Sequence, residues 1–70
     1  MTDPNRVDRI EDYLRNKLQD KRQSVMGFMA GGQAKDHAEY RHLCGILQGL
    51  EFADNLIVDL AKRLLEDADD

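Results

Sequence analysis

The sequence predicts an all-α protein, an antiparallel two-helix hairpin that oligomerises through its second helix into a bundle. Apolar residues recur at three- and four-residue intervals along two long segments, which is the spacing of one helix face. The chain has one proline, few aromatic residues and no run of β-branched residues, a composition that favours helix over sheet. A short glycine-containing segment separates the two periodic segments, and such a connection places neighbouring helices antiparallel.

The length allows one helical-hairpin domain, residues 1–70. A single core of this size contributes only ~3–5 kcal/mol of net stability unless something else reinforces it. Cys44 is the only cysteine, so a disulfide is excluded, and no Cys and His residues have zinc-site spacing. Oligomerisation or docking on a partner remains as the source of extra stability, so we expect that the protein is not a free monomer.

Helix 1 is predicted over about residues 4 to 26. Asp3 can accept hydrogen bonds from the first free backbone N–H groups, and Pro4 at the first helical position loses no needed donor. The apolar residues that follow share an arc of roughly 80°. They are Val7, Ile10, Leu14, Leu18 and Val25. Such a narrow stripe suits packing against one partner helix.

The connection is predicted over about residues 27 to 36. Gly27 or Gly31 could cap helix 1, because glycine reaches left-handed backbone angles without penalty. Three large apolar side chains accompany these glycines, namely Met26, Phe28 and Met29. They either fold back over the end of the hairpin core or anchor the loop in a neighbouring subunit or partner, a role that adaptable methionines suit.

Helix 2 is predicted over about residues 37 to 66. Asp36 and Glu39 have the spacing of a capping box, with Asp36 at the N-cap. The acidic tail, residues 67–70, lies at a helix C-terminus, where the helix dipole disfavours negative charge, so we expect it to fray.

The antiparallel arrangement predicts ion pairs between the helices. We expect Arg15 to lie near Glu51, and Arg6 or Arg9 near Asp59. Exposed pairs of this kind help to define the register but contribute little stability.

Helix 2 has more apolar surface than helix 1 can cover. Its main stripe is Leu43, Ile46, Leu50, Ala53, Ile57, Leu60 and Leu64. Leu47, Val58 and Leu65 flank this stripe on one side, and Leu56, Gly49 and Phe52 on the other. Together they span roughly 200° or more, whereas one partner helix needs ~100°. We therefore predict a second contact surface on helix 2.

Gly45, Gly49 and Ala53 place small residues four apart within this helix. Each interior glycine costs a helix about 1 kcal/mol relative to alanine, so close approach of another backbone is the simplest reason for two. The alternative is that one or both glycines accommodate a bulky side chain of helix 1 or kink the helix. Whether that backbone belongs to helix 1 or to another subunit stays open. The residues expected to contact another chain are Gly45, Gly49, Phe52, Ala53, Leu56, Leu47, Val58, Leu65, Met26, Phe28 and Met29.

No catalytic group of residues is evident, and we expect no enzyme activity, no cofactor and no metal. His37 and His42 are five residues apart and point to different faces, so the i, i+4 zinc arrangement is absent. Cys44 is two residues from His42 and cannot face it on a helix, so we interpret it as a small buried hydrophobe.

The charge and hydropathy of the chain argue against nucleic-acid and membrane partners. The net charge of −4 is uneven. Residues 1–35 have seven basic and five acidic groups, and residues 36–70 have three basic and nine acidic groups. An acidic chain repels nucleic acid, so we expect no nucleic-acid partner. The charged start and the lack of a long apolar run predict no secretory signal and no membrane partner, and residence in the cytoplasm.

The start of helix 2 resembles a group of short helical-hairpin accessory proteins that are encoded among the virion genes of tailed bacteriophages. The likeness covers about half the chain. The matching residues are Ala34, Lys35, Glu39, Tyr40, Leu43, Gly45, Gly49, Leu50 and Ala53, with Leu47 where isoleucine is usual. The resemblance implies a non-enzymatic structural or assembly protein, in the host cytoplasm during assembly or in the virion. It would self-associate or dock on a larger capsid, portal or tail component. The alternative is a small acidic adaptor or inhibitor that binds a host protein.

Overall fold

The computed structural model describes residues 3–69, and over this range it contains two α-helices and no strand. Helix α1 spans Pro4–Ala30 and helix α2 spans His37–Asp69. The start of α1 lies beside the end of α2, where Val7 and Ala61 line one groove. Met29 and Tyr40 lie together near the connection. The predicted all-helical hairpin is therefore confirmed.

Helix α1 begins as the sequence predicts. Asp3 is its N-cap, and the Asn5 N–H donates to Asp3 Oδ1 at 3.0 Å. The Val7 N–H donates to the Asp3 carbonyl at 3.0 Å and closes the first turn. Pro4, which has no N–H, occupies a position where no donor is needed.

The end of α1 differs from the prediction, because the helix continues to Ala30 instead of ending near residue 26. Met26, Phe28 and Met29 therefore belong to its last turns and do not form a loop tip, so the predicted loop placement is wrong. The physical reason is that one interior glycine, Gly27, costs only about 1 kcal/mol. Residues on both sides of it continue the helical hydrogen bonds, and Gly27 does not cap the helix.

The two glycines after Ala30 end α1. Gly32 has a φ of 70°, a left-handed conformation that glycine adopts without strain. The Gly32 N–H donates to the Met29 carbonyl at 3.1 Å, and the Gln33 N–H donates to the Phe28 carbonyl at 3.3 Å. These two bonds form a Schellman motif, which satisfies carbonyl groups that the helix itself leaves free. The sequence offered Gly27 or Gly31 as the C-cap, and the structure confirms Gly31.

Helix α2 begins with the predicted N-cap. The Glu39 N–H donates to Asp36 Oδ1 at 2.8 Å. The Glu39 carboxylate accepts from the Lys35 N–H at 3.1 Å, one residue earlier than a standard capping box would place it. At the other end α2 continues through Asp69, so most of the predicted acidic tail is helical, while Asp70 lies outside the described residues.

The register of the hairpin differs from the prediction by about one helical turn. Arg15 pairs with Asp54, with 2.9 Å between Nε and Oδ1, and not with Glu51. Asp59 pairs with Arg63 of its own helix at 3.0 Å, so the expected pairing of Asp59 with Arg6 or Arg9 is not formed. Because α1 continues about four residues further than predicted, the chain reverses later, and each α1 residue faces a later position on α2.

The hairpin is a single layer of helices. Its dimensions are 52 × 16 × 11 Å, and the smallest equals the diameter of one α-helix with its side chains. Among the described residues, the buried hydrophobic side chains are Val7, Val25 and Ala61. Over residues 3–69 the hairpin therefore has a contact seam between two helices and no enclosed core.

Candidate protein-interaction surface

The hairpin exposes more surface than its mass accounts for. Its accessible surface is 5713 Å², whereas a compact monomer of this mass would expose about 4,450 Å². The radius of gyration is 16.0 Å, against about 11 Å for a compact domain of this length. This difference follows from the single-layer shape, because each helix has one neighbour and leaves its other faces uncovered.

An uncovered apolar surface lies on one side of α2; we call it the outer face and define it as Gly45, Gly49, Phe52, Leu56 and Leu60. The spacing of these residues places them within an arc of roughly 80°. Phe52 is 66% exposed, Leu56 54% and Leu60 58%. Leu60 belongs to the main apolar stripe that the sequence predicts, yet more than half of its surface is exposed. Ala53 lies at the edge of the outer face and is half-buried.

The two glycines of the outer face do not contact α1. A Cβ atom built on Gly45 or Gly49 would meet no atom within 4 Å, apart from its chain neighbours and its own helix backbone. The choice that the sequence left open is thereby decided against helix 1 as the closely packed partner. Each of these two glycines lowers the stability of α2 by about 1 kcal/mol relative to alanine. Within the described residues, no close packing against α1 offsets this cost.

A groove between the helices continues the outer face towards α1. Ile10 and Leu14 line it from α1, and Leu60 and Leu64 line it from α2. Leu60 belongs to both surfaces and joins them. Ile10 and Leu14 are large exposed hydrophobic residues, although their helical spacing placed them in the seam. Sequence reasoning missed this groove because a stripe on a helical wheel does not show how much of it one partner covers.

A second apolar patch lies near the connection. Met26, Met29, Tyr40 and Leu47, together with Ala30, line a shallow depression. Spacing places Leu47 and Tyr40 about 150° around α2 from Leu60, so this patch and the outer face lie on different sides of the hairpin. The structure thus brings two of the predicted anchor residues, Met26 and Met29, together.

The remaining predicted contact residues are separate from both surfaces. Phe28 is two residues from Met26 and therefore points elsewhere on α1. Val58 is exposed, and Leu65 is half-buried. Their predicted role in binding stays a prediction.

Polar chemistry is sparse on the described residues. They include no group of three or more His, Cys, Asp or Glu side chains that could hold a metal ion. They also include no buried side-chain N or O atom without a hydrogen-bond partner. Cys44 is a free, half-buried thiol, and His42 is exposed. The hydrogen bond and the charge of Asp54 raise the pKa of the Arg15 guanidinium above its usual value.

Within residues 3–69, neither helix is long and apolar enough to span a membrane. Comparisons of the chain with protein-family models, with curated proteins and with solved structures found no match.

Proposed function

We propose that this chain is a non-enzymatic structural or assembly accessory protein that acts by being held against other protein chains. In the version suggested by the resemblance of residues 34–53, it is a tailed-phage protein that self-associates, docks on a capsid, portal or tail component, or does both. The observation that carries the proposal is the exposure of Phe52, Leu56 and Leu60 on one side of a hairpin whose described residues form no enclosed core.

A partner that covered the outer face would bury apolar side chains that the hairpin leaves in water. Fully burying one large apolar side chain contributes about 1.5–3 kcal/mol before the cost of association is subtracted. The three large side chains of the outer face are each more than half exposed, so most of this contribution is still open to a partner. Contiguous exposed apolar patches commonly mark interaction sites.

Two measurements test the proposal. Sedimentation equilibrium of the full chain should give a mass above 8.0 kDa for the self-associating form. For the docking form, mass spectrometry of purified particles should find the chain at a constant copy number per particle. A chain that is monomeric by sedimentation and absent from purified particles would contradict the proposal.

The second candidate is a small acidic adaptor or inhibitor of a host protein. It is favoured by the charge of residues 36–70, which have nine acidic and three basic groups. An acidic helix can associate with a basic surface through electrostatic steering. Salt-sensitive capture of one host protein by the purified chain, with no chain in the particles, would favour this candidate over the virion protein.

A further inference from the structure

We propose that the outer face of α2 is covered by the same face of a second copy, with the two α2 helices antiparallel and a two-fold axis passing near Phe52 and Ala53. This inference rests on the self-associating form of the proposed function and gives it a partner and a geometry. The dimer would contain four helices, with α2 against α2 as its central contact.

The spacing of small and large residues along the outer face is self-complementary. Gly45 and Leu60 lie equally far from the midpoint between residues 52 and 53, and so do Gly49 and Leu56. A two-fold axis at this midpoint places each glycine opposite a leucine of the second copy. The leucine side chain then occupies the space that the missing Cβ leaves open, which is the open space found at Gly45 and Gly49.

A parallel pair lacks this fit. It would place glycine opposite glycine at one end of the face and leucine opposite leucine at the other. One end would then contain a void and the other would be crowded, and both arrangements lose packing energy. The antiparallel pair is the one in which small faces large throughout.

The charges at the ends of α2 favour the same orientation. Arg41 lies near the start of α2 and Glu66 near its end, and helical spacing places them on the same flank of the outer face. An antiparallel pair keeps this flank of both copies on one side of the contact and brings each Arg41 near Glu66 of the second copy, whereas a parallel pair places the two flanks on opposite sides and forms no such ion pair. Such exposed pairs select orientation more than they add affinity.

The hairpin as a whole has more exposed surface than one interface of ordinary size would remove. The hairpin exposes 5713 Å², which exceeds the expectation for a compact monomer by about 1,260 Å². A standard protein–protein interface removes about 800 Å² from each partner. One interface of ordinary size would therefore account for most of the excess.

The experiment combines mass measurement with disulfide trapping on the full chain. The native thiol is first removed by Cys44→Ala. In that background Ala53→Cys places one thiol beside the two-fold axis, close to its counterpart. Leu60→Cys is the matched control, since about fifteen residues of helix rise, or ~22 Å, separate it from its own counterpart in the antiparallel pair. In a parallel pair the two Leu60→Cys thiols would lie at the same height along the helices and would cross-link.

The expected result is a dimer mass for the parent, for the Cys44→Ala chain and, before oxidation, for both single-cysteine chains. Under mild oxidation, the Ala53→Cys chain should be mostly a covalent dimer and the Leu60→Cys chain mostly not. A monomer at all accessible concentrations would overturn this inference, and particle association would then decide the proposed function separately. A dimer in which Leu60→Cys cross-links, or Ala53→Cys does not, would overturn the antiparallel geometry and leave self-association standing.

Discussion

Arg15 Nε donates a hydrogen bond to Asp54 Oδ1 at 2.9 Å and joins the middle of α1 to the middle of α2. The pair is partly exposed, since the side chain of Arg15 retains 47% of its accessible surface and that of Asp54 33%. Glu11, one turn earlier on α1, also approaches this guanidinium, with 3.8 Å between its Oε2 and Arg15 Nη1. The Arg15–Asp54 pair therefore shows which residues of the two helices face each other, but it contributes little to the stability of the hairpin.

The register can be tested with a double-mutant cycle. Arg15→Ala and Asp54→Ala should each lower Tm slightly, and the double variant should lower it by less than the sum, because each single variant already removes the shared contact. Arg15→Ala combined with Glu51→Ala is the control and should be additive. Coupling to Glu51 instead of Asp54 would contradict the observed register.

Replacing Gly49 by leucine should change the stability of the hairpin and its association in opposite directions. Gly49→Leu should stabilise α2 by roughly 0.8 kcal/mol, because leucine is the better helix former and no atom obstructs it in the hairpin. In the proposed dimer the new side chain occupies the space of Leu56 of the second copy. Association should therefore weaken at least ~10-fold, equivalent to about 1.4 kcal/mol, as measured by sedimentation equilibrium.

Gly27→Leu is the matched control for that substitution. Gly27 is also an interior helical glycine with no atom within 4 Å of a built Cβ, but it lies on α1, away from the outer face. Its leucine variant should show the gain in helix stability with unchanged association. Equal association of the Gly49→Leu variant and the parent would remove close packing as the reason for the glycine.

The seam should be sensitive to the loss of buried methyl groups. Val25 is 7% exposed and Val58 38%. Val25→Ala should lower the free energy of unfolding by about 1–3 kcal/mol, through lost apolar burial and the cavity that remains. Val58→Ala removes the same atoms from a partly solvated position and should cost less than half as much. Chemical denaturation of the two variants at one protein concentration provides the comparison.

The turn depends on the backbone angle of one glycine. Gly32 has a φ of 70°, and an L-residue pays about 1–2 kcal/mol for that conformation. Gly32→Ala should therefore lower Tm even though its Cβ would meet no atom within 4 Å. Gly27→Ala, which is helical, should raise Tm by a comparable amount. If both variants shift Tm in the same direction, the left-handed turn is wrong.

Local chemistry was readable from the sequence. Asp3 and Asp36 cap the two helices as predicted, because a capping side chain acts on backbone groups two or three residues away. The excess apolar width of α2 also follows from the sequence, since helical spacing alone determines which residues share a face. The fold class and the expectation of exposed apolar surface on α2 both follow from these short-range rules.

Only the tertiary structure decided how the two helices meet. Whether α1 ends near Gly27 or continues through it depends on a small difference in free energy. Because α1 continues to Ala30, Arg15 pairs with Asp54 instead of Glu51. That register leaves Gly45 and Gly49 without a neighbour and Leu60 exposed. A helical wheel shows the direction of each side chain but not the surface that a partner covers, because coverage depends on the position of the second helix along the first.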